Sequence, residues 1–397
     1  MSLRTIQRIA AKGDGVTSSG EHFAGAVTGD RVHENGDIEP GPHHVSPACR
    51  HFGHCGGCQL QHADETALRQ FVTERVAFAA ESQGITVREL LPTHLSPPKS
   101  RRRATLHGLK AGKGAVLGFR EARSNRVVEL QECHILLPEL FELVAPLRRL
   151  IADHAGKGPV DVVLAQADQG IDCSLKGFHA EGLAATEALL DFARDEALAR
   201  LSLDQGFGAE TVWEPVPVTV MLGGVPVGLP QNSFLQPTCD GEDALVEDAR
   251  VFTRGASTIA DLFAGLGTFA FALAGPAKAL AVEAAREAHL ACKTAANLHG
   301  APVHALHRDL FRNPMTAEEV GKFDAVLLDP PRAGAREQVV QIAQSSSTRV
   351  AYISCNPSSW ARDSKILVDA GFRLDKLRPV GQFRWSTHVE LTSYFTR

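Results

Sequence analysis

The chain has 397 residues, 44% of them hydrophobic and 22% charged, and a formal net charge of −5. That length exceeds one ordinary core and predicts two or three domains, while the composition is that of a globular protein with no signal-peptide pattern over Met1–Ala10 and no apolar run of about eighteen residues. These features point to the cytoplasm rather than a membrane, and the negative balance means that any nucleic acid must be held by local cationic patches.

Residues 5–33 alternate apolar positions (Ile6, Ile9, Val16, Phe23, Val27, Val32) with glycine turns at Gly13, Gly15, Gly20 and Gly29, which predicts a small β module. A Gly/Pro/His-rich stretch over 36–47 reads as a linker. Cys49, Cys55 and Cys58 follow in C-x5-C-x2-C spacing, and a fourth cysteine, Cys133, stands 75 residues after Cys58. Four thiolates hold either zinc or an iron–sulfur cluster, and the spacing does not choose, although structural zinc sites pair their cysteines in two close couples.

Residues 63–82 place Leu68, Phe71, Val72 and Val76 on one helical face, and 92–100 is a breaker. Lys99, Arg101, Arg102 and Arg103 form a cationic cluster suited to phosphates. Between 101 and 230 strands and helices mix, with a helix expected over Glu181–Leu203.

From about Gly255 the pattern becomes buried apolar runs alternating with helices, the form of a doubly wound parallel sheet. The runs are Thr258–Phe263, Ala277–Val282, Ala325–Leu328 and Val350–Ile353. Asp261-Leu-Phe-Ala-Gly-Leu-Gly-Thr-Phe269 leaves the first run, and Glu283 ends the next strand 22 residues after Asp261. Gly265 and Gly267 let the backbone approach a ligand, and the second-strand carboxylate suits ribose hydroxyls. The pattern fits a nucleoside cofactor without separating S-adenosylmethionine (SAM) from a dinucleotide, because Ala270 occupies the third-glycine position.

Asp329-Pro-Pro-Arg332 and Ser354-Cys-Asn-Pro357 end two further runs at the same sheet edge. A cysteine exposed there is a candidate nucleophile. Thr387-His-Val-Glu390 adds two candidate bases, and strand alternation puts His388 and Glu390 on one face. Phe383 and Trp385 are candidate stacking surfaces for a base. Cys173, Cys239 and Cys292 belong to no motif and are expected in cores.

DLFAGLGTF, DPPR, SCNP with Ala361-Arg-Asp363, and THVE, in this order, resemble the RNA 5-methyluridine methyltransferase family. The resemblance implies Cys355 as nucleophile, Glu390 as base, and Phe263, Gly265, Thr268, Glu283, Asp309 and Asp329 around SAM, with Gln236 of Phe234-Leu-Gln-Pro-Thr238 as a further SAM contact. It departs from the family's usual pattern at Ala264, Thr268 and Thr238, which touches individual cofactor contacts. The DPPR loop lacks the cysteine of 5-methylcytidine enzymes, which favours uridine. The family's ribosomal-RNA members carry C-x5-C-G-G-C-x-x-Q-H, matched here through Gln61 and His62. The match implies that Cys49, Cys55, Cys58 and Cys133 hold a [4Fe–4S] cluster. Ile6 to Ala10, Gly13-Asp-Gly15 and Gly29-Asp-Arg-Val32 resemble a truncated TRAM module, an OB-like RNA-binding barrel too short to close.

The expectation is therefore a Rossmann-like class I SAM-dependent methyltransferase domain over 231–397. Before it stand an α+β cluster-binding central domain over 39–230 and a truncated TRAM-like module over 1–38. The partner is RNA, most naturally an unstacked uridine of 23S ribosomal RNA, with no membrane and no obligate protein partner. The alternatives are a transfer-RNA enzyme of the same chemistry and a non-catalytic RNA-binding iron–sulfur protein.

Overall fold

Five short strands, Arg4–Ile9, Gly15–Thr17, His22–Phe23, Arg31–Val32 and Ile38–Glu39, form an antiparallel sheet with the first strand at its centre. Its third and fifth strands are the two edges and do not pair with each other, so the sheet is a half-barrel around Ile6, Ala26 and Val32. The computed structural model describes residues 3–180 and 182–397. The fifth strand lies inside the stretch expected to be a linker, and that expectation is corrected. Buried Asp30 accepts from the backbone N–H groups of Val27 and Gly41 and pairs with His44 at 2.8 Å, while His43 pairs with Asp64 at 2.9 Å. Composition alone marks Gly, Pro and His as loop; these buried acceptors fold them.

The central sheet has six strands in the order Ala209–Trp213, Arg200–Asp204, Gly170–Lys176, Val160–Ala167, Arg103–Ala111, Gly114–Gly118. The helix expected over Glu181–Leu203 is shorter: it runs Gly182–Asp195, and Glu181 itself lies outside the described residues. The chain turns through left-handed Ala197, and Arg200–Asp204 becomes a strand parallel to Gly170–Lys176. Its leucines continue the helix's apolar composition, which hides the turn, and Arg200 is buried against Asp172 at 2.7 Å.

The large sheet has nine strands. Val303–His307, Lys278–Glu283, Thr258–Leu262, Ala325–Leu328 and Arg349–Ser354 lie parallel in that spatial order, followed by antiparallel Glu390–Thr396 and then Arg373–Gly381. The expected apolar runs are thus four of its inner strands. Alternate residues face opposite layers: Ile259, Leu327 and Ile353 meet the Cys239–Thr253 and Thr268–Leu273 helices, whereas Leu262, Val326 and Tyr352 share a core with Trp360 and Leu367 of the Pro357–Asp369 helix. Burial on both faces explains why the strands read as unbroken apolar runs.

The far edge is completed from much earlier in the chain. Val87–Leu90 and His94–Leu95 both pair with Arg373–Gly381 in parallel. The Glu65–Ser82 helix covers the same region through Leu68, Phe71, Val72 and Val76. Asp64 caps it by accepting from Ala67 N–H at 2.8 Å. Among the described residues no helix is long and apolar enough to cross a membrane.

Candidate active site

The strand order reverses beside Thr258–Leu262, between Lys278–Glu283 and Ala325–Leu328, and such a switch point opens a crevice at the carboxyl ends of the strands. The loop leaving Thr258–Leu262 is left-handed at Phe263, Gly265 and Gly267, with φ of 66°, 56° and 92°. At Gly267 a Cβ would stand 2.9 Å from Cys292 Sγ, so this turn requires glycine twice over, by conformation and by space. Glu283 holds the loop by accepting from Gly265 N–H at 2.8 Å and from Ala285 N–H at 2.6 Å. Thr268 begins the next helix. Asp309, beyond Val303–His307, accepts from Phe311 N–H at 3.0 Å, and the Phe311 ring tilts against Phe263 at 5.3 Å.

Asp261 is fully buried beneath this loop. Its Oδ2 accepts from Ala270 N–H at 2.8 Å, while Oδ1 has no hydrogen-bond partner. Burial, then neighbouring Asp329 and Glu283, push its pKa up to about 8 against the pull of the Ala270 N–H. Carboxyls crowded at a strand edge beside an orphaned acceptor are a setting that a cationic, hydrogen-bonding ligand would relieve, as the ammonium and sulfonium of SAM would.

The DPPR and SCNP loops are stitched together next to this crevice. Asn356 Nδ2 donates to the Arg332 carbonyl at 2.8 Å, and Ser359 Oγ donates to the same oxygen at 3.0 Å. Asn356 also caps the Pro357–Asp369 helix, accepting from Ser358 N–H at 3.1 Å. Buried Asp363 takes Ala335 N–H at 2.7 Å and Tyr352 O–H at 2.8 Å, fixing the helix to the far end of the DPPR loop. Cys355 leaves the strand Arg349–Ser354 half-buried. Burial, then Glu390 and Asp329, push its thiol up to about 11, and Arg332 pulls the other way.

Glu390 is buried and Asp329 is half-buried beside it. Burial and the Glu390 charge hold the Asp329 carboxyl well above the usual carboxylate range. Burial pushes Glu390 up to about 7, with the Gln382 hydrogen bond opposing it. Gln236 Nε2 lies 3.5 Å from Asp329 Oδ2, and Gln382 Nε2 donates to Gln236 Oε1 at 3.1 Å and to Glu390 Oε2. Gln236, Asp329, Glu390 and Cys355 are therefore one neighbourhood, and Gln382 is a member that no motif marks.

The Phe234–Thr238 segment is placed by the arginines. Arg102 Nε donates to the Gln236 carbonyl at 2.9 Å and Arg103 Nη1 to the Leu235 carbonyl at 2.9 Å, while Arg102 pairs with Glu242 at 2.5 Å. Of the cationic cluster suited to phosphates, Arg102 is not available, being buried and spent on this segment; Arg103 lies over the Phe234 ring, Arg101 over the Phe383 ring, and Lys99 is exposed. Sequence spacing cannot reveal partners some 130 residues away.

His388 and Glu390 do not share a strand face. The strand begins at Glu390, leaving His388 exposed in the preceding loop beside the Phe383 ring at 5.7 Å. Trp385 packs into both large cores, and its carbonyl accepts from Gln59 N–H at 2.7 Å and Leu60 N–H at 2.9 Å. Trp385 is left-handed at φ 61°. Core packing thus accounts for its ring.

Cys49, Cys55, Cys58 and Cys133 line one small cavity with Phe119, Leu130 and Ile135. Burial raises all four thiols, Cys58 to about 12. Gln61 accepts from Cys49 N–H at 3.0 Å. Among the described residues no three His, Cys, Asp or Glu side chains are grouped tightly enough for a single metal ion. Cys173 and Cys292 are buried as expected, but Cys239 is exposed at the start of the Cys239–Thr253 helix, with Arg102 Nη1 3.4 Å from its sulfur.

The chain is similar to known RNA methyltransferases in sequence and fold. Residues 227–397 match the family model described as tRNA (uracil-5-)-methyltransferase. An uncharacterised RNA methyltransferase of Zymomonas mobilis is 46% identical, covering 100% of both chains. The 23S rRNA (uracil(1939)-C(5))-methyltransferase of Erwinia tasmaniensis is 30% identical over 91% of this chain and 84% of its own. In fold, the chain is similar to the Pyrococcus abyssi tRNA (uracil-54, C5)-methyltransferase, with a TM-score of 0.78 over 99% of both chains at 21% identity.

Proposed function

The chain belongs to the RNA uracil-5-methyltransferase family, and from that premise we propose that it methylates carbon 5 of a uridine in 23S ribosomal RNA. Methylation of uracil carbon 5 in RNA with SAM is the family's reaction; the choice of RNA and the residue roles are the proposal. The observation that carries it is the gathering of Cys355, Glu390, Asp329 and Gln236 at one strand edge beside the glycine loop.

Carbon 5 of uracil is a weak nucleophile. The Cys355 thiolate adds to carbon 6, and the displaced electron pair makes carbon 5 an enolate carbon able to attack an electrophilic methyl. SAM supplies that methyl and departs as S-adenosylhomocysteine. Glu390 then removes the carbon 5 proton, the C5–C6 double bond re-forms, and the C6–S bond breaks to return the thiolate. A base pushed up to about 7 suits that task near neutral pH. Glu283 would hold the ribose of SAM, Gly265, Thr268 and Phe263 would wall its crevice, and Asp309, Asp329 and Gln236 would supply its polar lining. A thiolate cannot reach a stacked base, so the target uridine is unstacked and flipped into the crevice.

Cys49, Cys55, Cys58 and Cys133 hold a [4Fe–4S] cluster. The support is the convergence of four cysteines from distant parts of the chain on one small cavity, and the resemblance to ribosomal-RNA enzymes over the same motif. Residues 231–397 carry the chemistry, 39–230 the cysteine site and an RNA surface, and 1–38 a short RNA-facing module.

The test uses anaerobically purified protein, methyl-labelled SAM, and unmodified ribosomal and transfer RNA in parallel, with nucleoside analysis. Label in 5-methyluridine from ribosomal RNA supports the proposal. Label from transfer RNA alone moves the substrate, and no label from either overturns the reading.

A further inference from the structure

We propose that Gln382 is a positioning residue for the methylation site, a single amide that aims the Glu390 carboxylate and fixes the orientation of Gln236. The proposal rests on Glu390 being the base.

Gln382 follows the strand Arg373–Gly381, and Val380 pairs with Glu390 across the antiparallel ladder, so the two side chains meet from neighbouring strands. The residue is 2% exposed. Its Nε2 carries two N–H groups and both are committed, one to Gln236 Oε1 at 3.1 Å and one to Glu390 Oε2. With its oxygen occupied, Gln236 turns its own Nε2 toward Asp329 Oδ2, 3.5 Å away. Gln382 gives both of its N–H groups, so Gln236 Oε1 and Glu390 Oε2 are the acceptors, and these two bonds set the direction of both amides.

Gly241 supplies the seat for this amide. In the first turn of the Cys239–Thr253 helix, a Cβ at Gly241 would stand 2.4 Å from Gln382 Cγ and 2.6 Å from Oε1. Glycine is a poorer helix former than alanine, and the space it leaves is filled by Gln382. Oε1 has no hydrogen-bond partner. The amide is therefore oriented by what its nitrogen holds.

A donor on the carboxylate keeps Glu390 more acidic than burial alone would leave it. Without that donor a larger share of Glu390 is protonated at neutral pH when the methylated ring must lose its carbon 5 proton. The C5–C6 double bond then fails to re-form, the C6–S bond persists, and methylated RNA stays attached to Cys355.

The experiment is single-turnover methylation from about pH 6 to about pH 9 with Gln382→Met, which keeps length and removes the amide. The acid limb is expected to move up by about one pH unit. A methylated protein–RNA adduct should accumulate on denaturing gels at neutral pH and clear as pH rises, and KM for SAM should rise severalfold. Gly241→Ala, which favours the helix but presses on Gln382, should shift the limb the same way by less. An unshifted limb with no adduct in Gln382→Met overturns the proposal. If that variant does not fold, an unshifted limb in Gly241→Ala overturns it. Glu390→Gln separates the two readings: it must trap adduct throughout, and normal turnover by it removes the base assignment itself.

Discussion

Cys355 sets a condition on its proposed role as nucleophile: a thiol held at about 11 is neutral at physiological pH. Burial and two carboxylates are responsible, so the resting site protects the sulfur from oxidants, and the thiolate must form against local negative charge. Alkylation of Cys355, followed by peptide mass spectrometry, is expected to be slow near neutral pH and to accelerate about tenfold per pH unit toward that midpoint. Asp329→Asn removes one of the opposing charges and should move the midpoint down. Reaction at neutral pH as fast as at exposed Cys239 would mean a preformed thiolate instead. Cys355, Glu390 and Asp329 are legible in sequence because each stands in a short motif at a strand end. Gln382 is not, since its partners are Gln236, 146 residues away, and Glu390, eight residues away across a ladder.

At the scale of elements, parallel strands announce themselves as apolar runs because helices cover both faces, whereas the Arg200–Asp204 strand hides behind a helix of similar composition. The burial of Arg102 is hidden for the same reason: charge pattern gives no account of distant partners. Arg102 ties the start of the Arg103–Ala111 strand to the Gln236 and Pro237 carbonyls and to Glu242 of the Cys239–Thr253 helix. A buried guanidinium removed from a carboxylate leaves an unpaired charge, a loss of about 3–5 kcal/mol where the pair is enclosed. Arg102→Leu should therefore lower the melting temperature and raise the dissociation constant for SAM by titration calorimetry. The paired change Arg102→Leu with Glu242→Leu should recover much of the stability and little of the SAM affinity. Recovery of both would show that the arginine's bonds to the Gln236 segment contribute nothing.

The whole molecule joins its three major sheets through shared cores, Ile9 and Val27 packing with the large sheet and Ala167 of the central sheet with Ala279 and Ala281, and through polar pins. The cysteine loop donates two backbone hydrogen bonds to Trp385, and Arg384 reaches the Ser96 carbonyl at 3.0 Å and Glu65 at 3.2 Å. If the four cysteines hold the proposed cluster, anaerobically purified protein should carry iron and visible absorbance, and Cys133→Ser should abolish both. Full iron occupancy in that variant would remove the fourth-ligand assignment. The long-range pins were invisible in sequence, because backbone donors carry no residue signature.

The Val87–Leu90 and His94–Leu95 strands close an edge formed by Arg373–Gly381, nearly three hundred residues later. On the ribosome these early segments emerge first and wait, unpaired, for almost the whole chain to be synthesised. Until then the later strand's would-be neighbours are an exposed edge, the kind of surface that recruits other chains. Residues 227–397 produced alone should consequently aggregate despite carrying every strand of the parallel core. Supplying residues 64–96 as a separate peptide should restore solubility, measured by sedimentation. A soluble, monomeric fragment without the peptide would show that the edge protects itself.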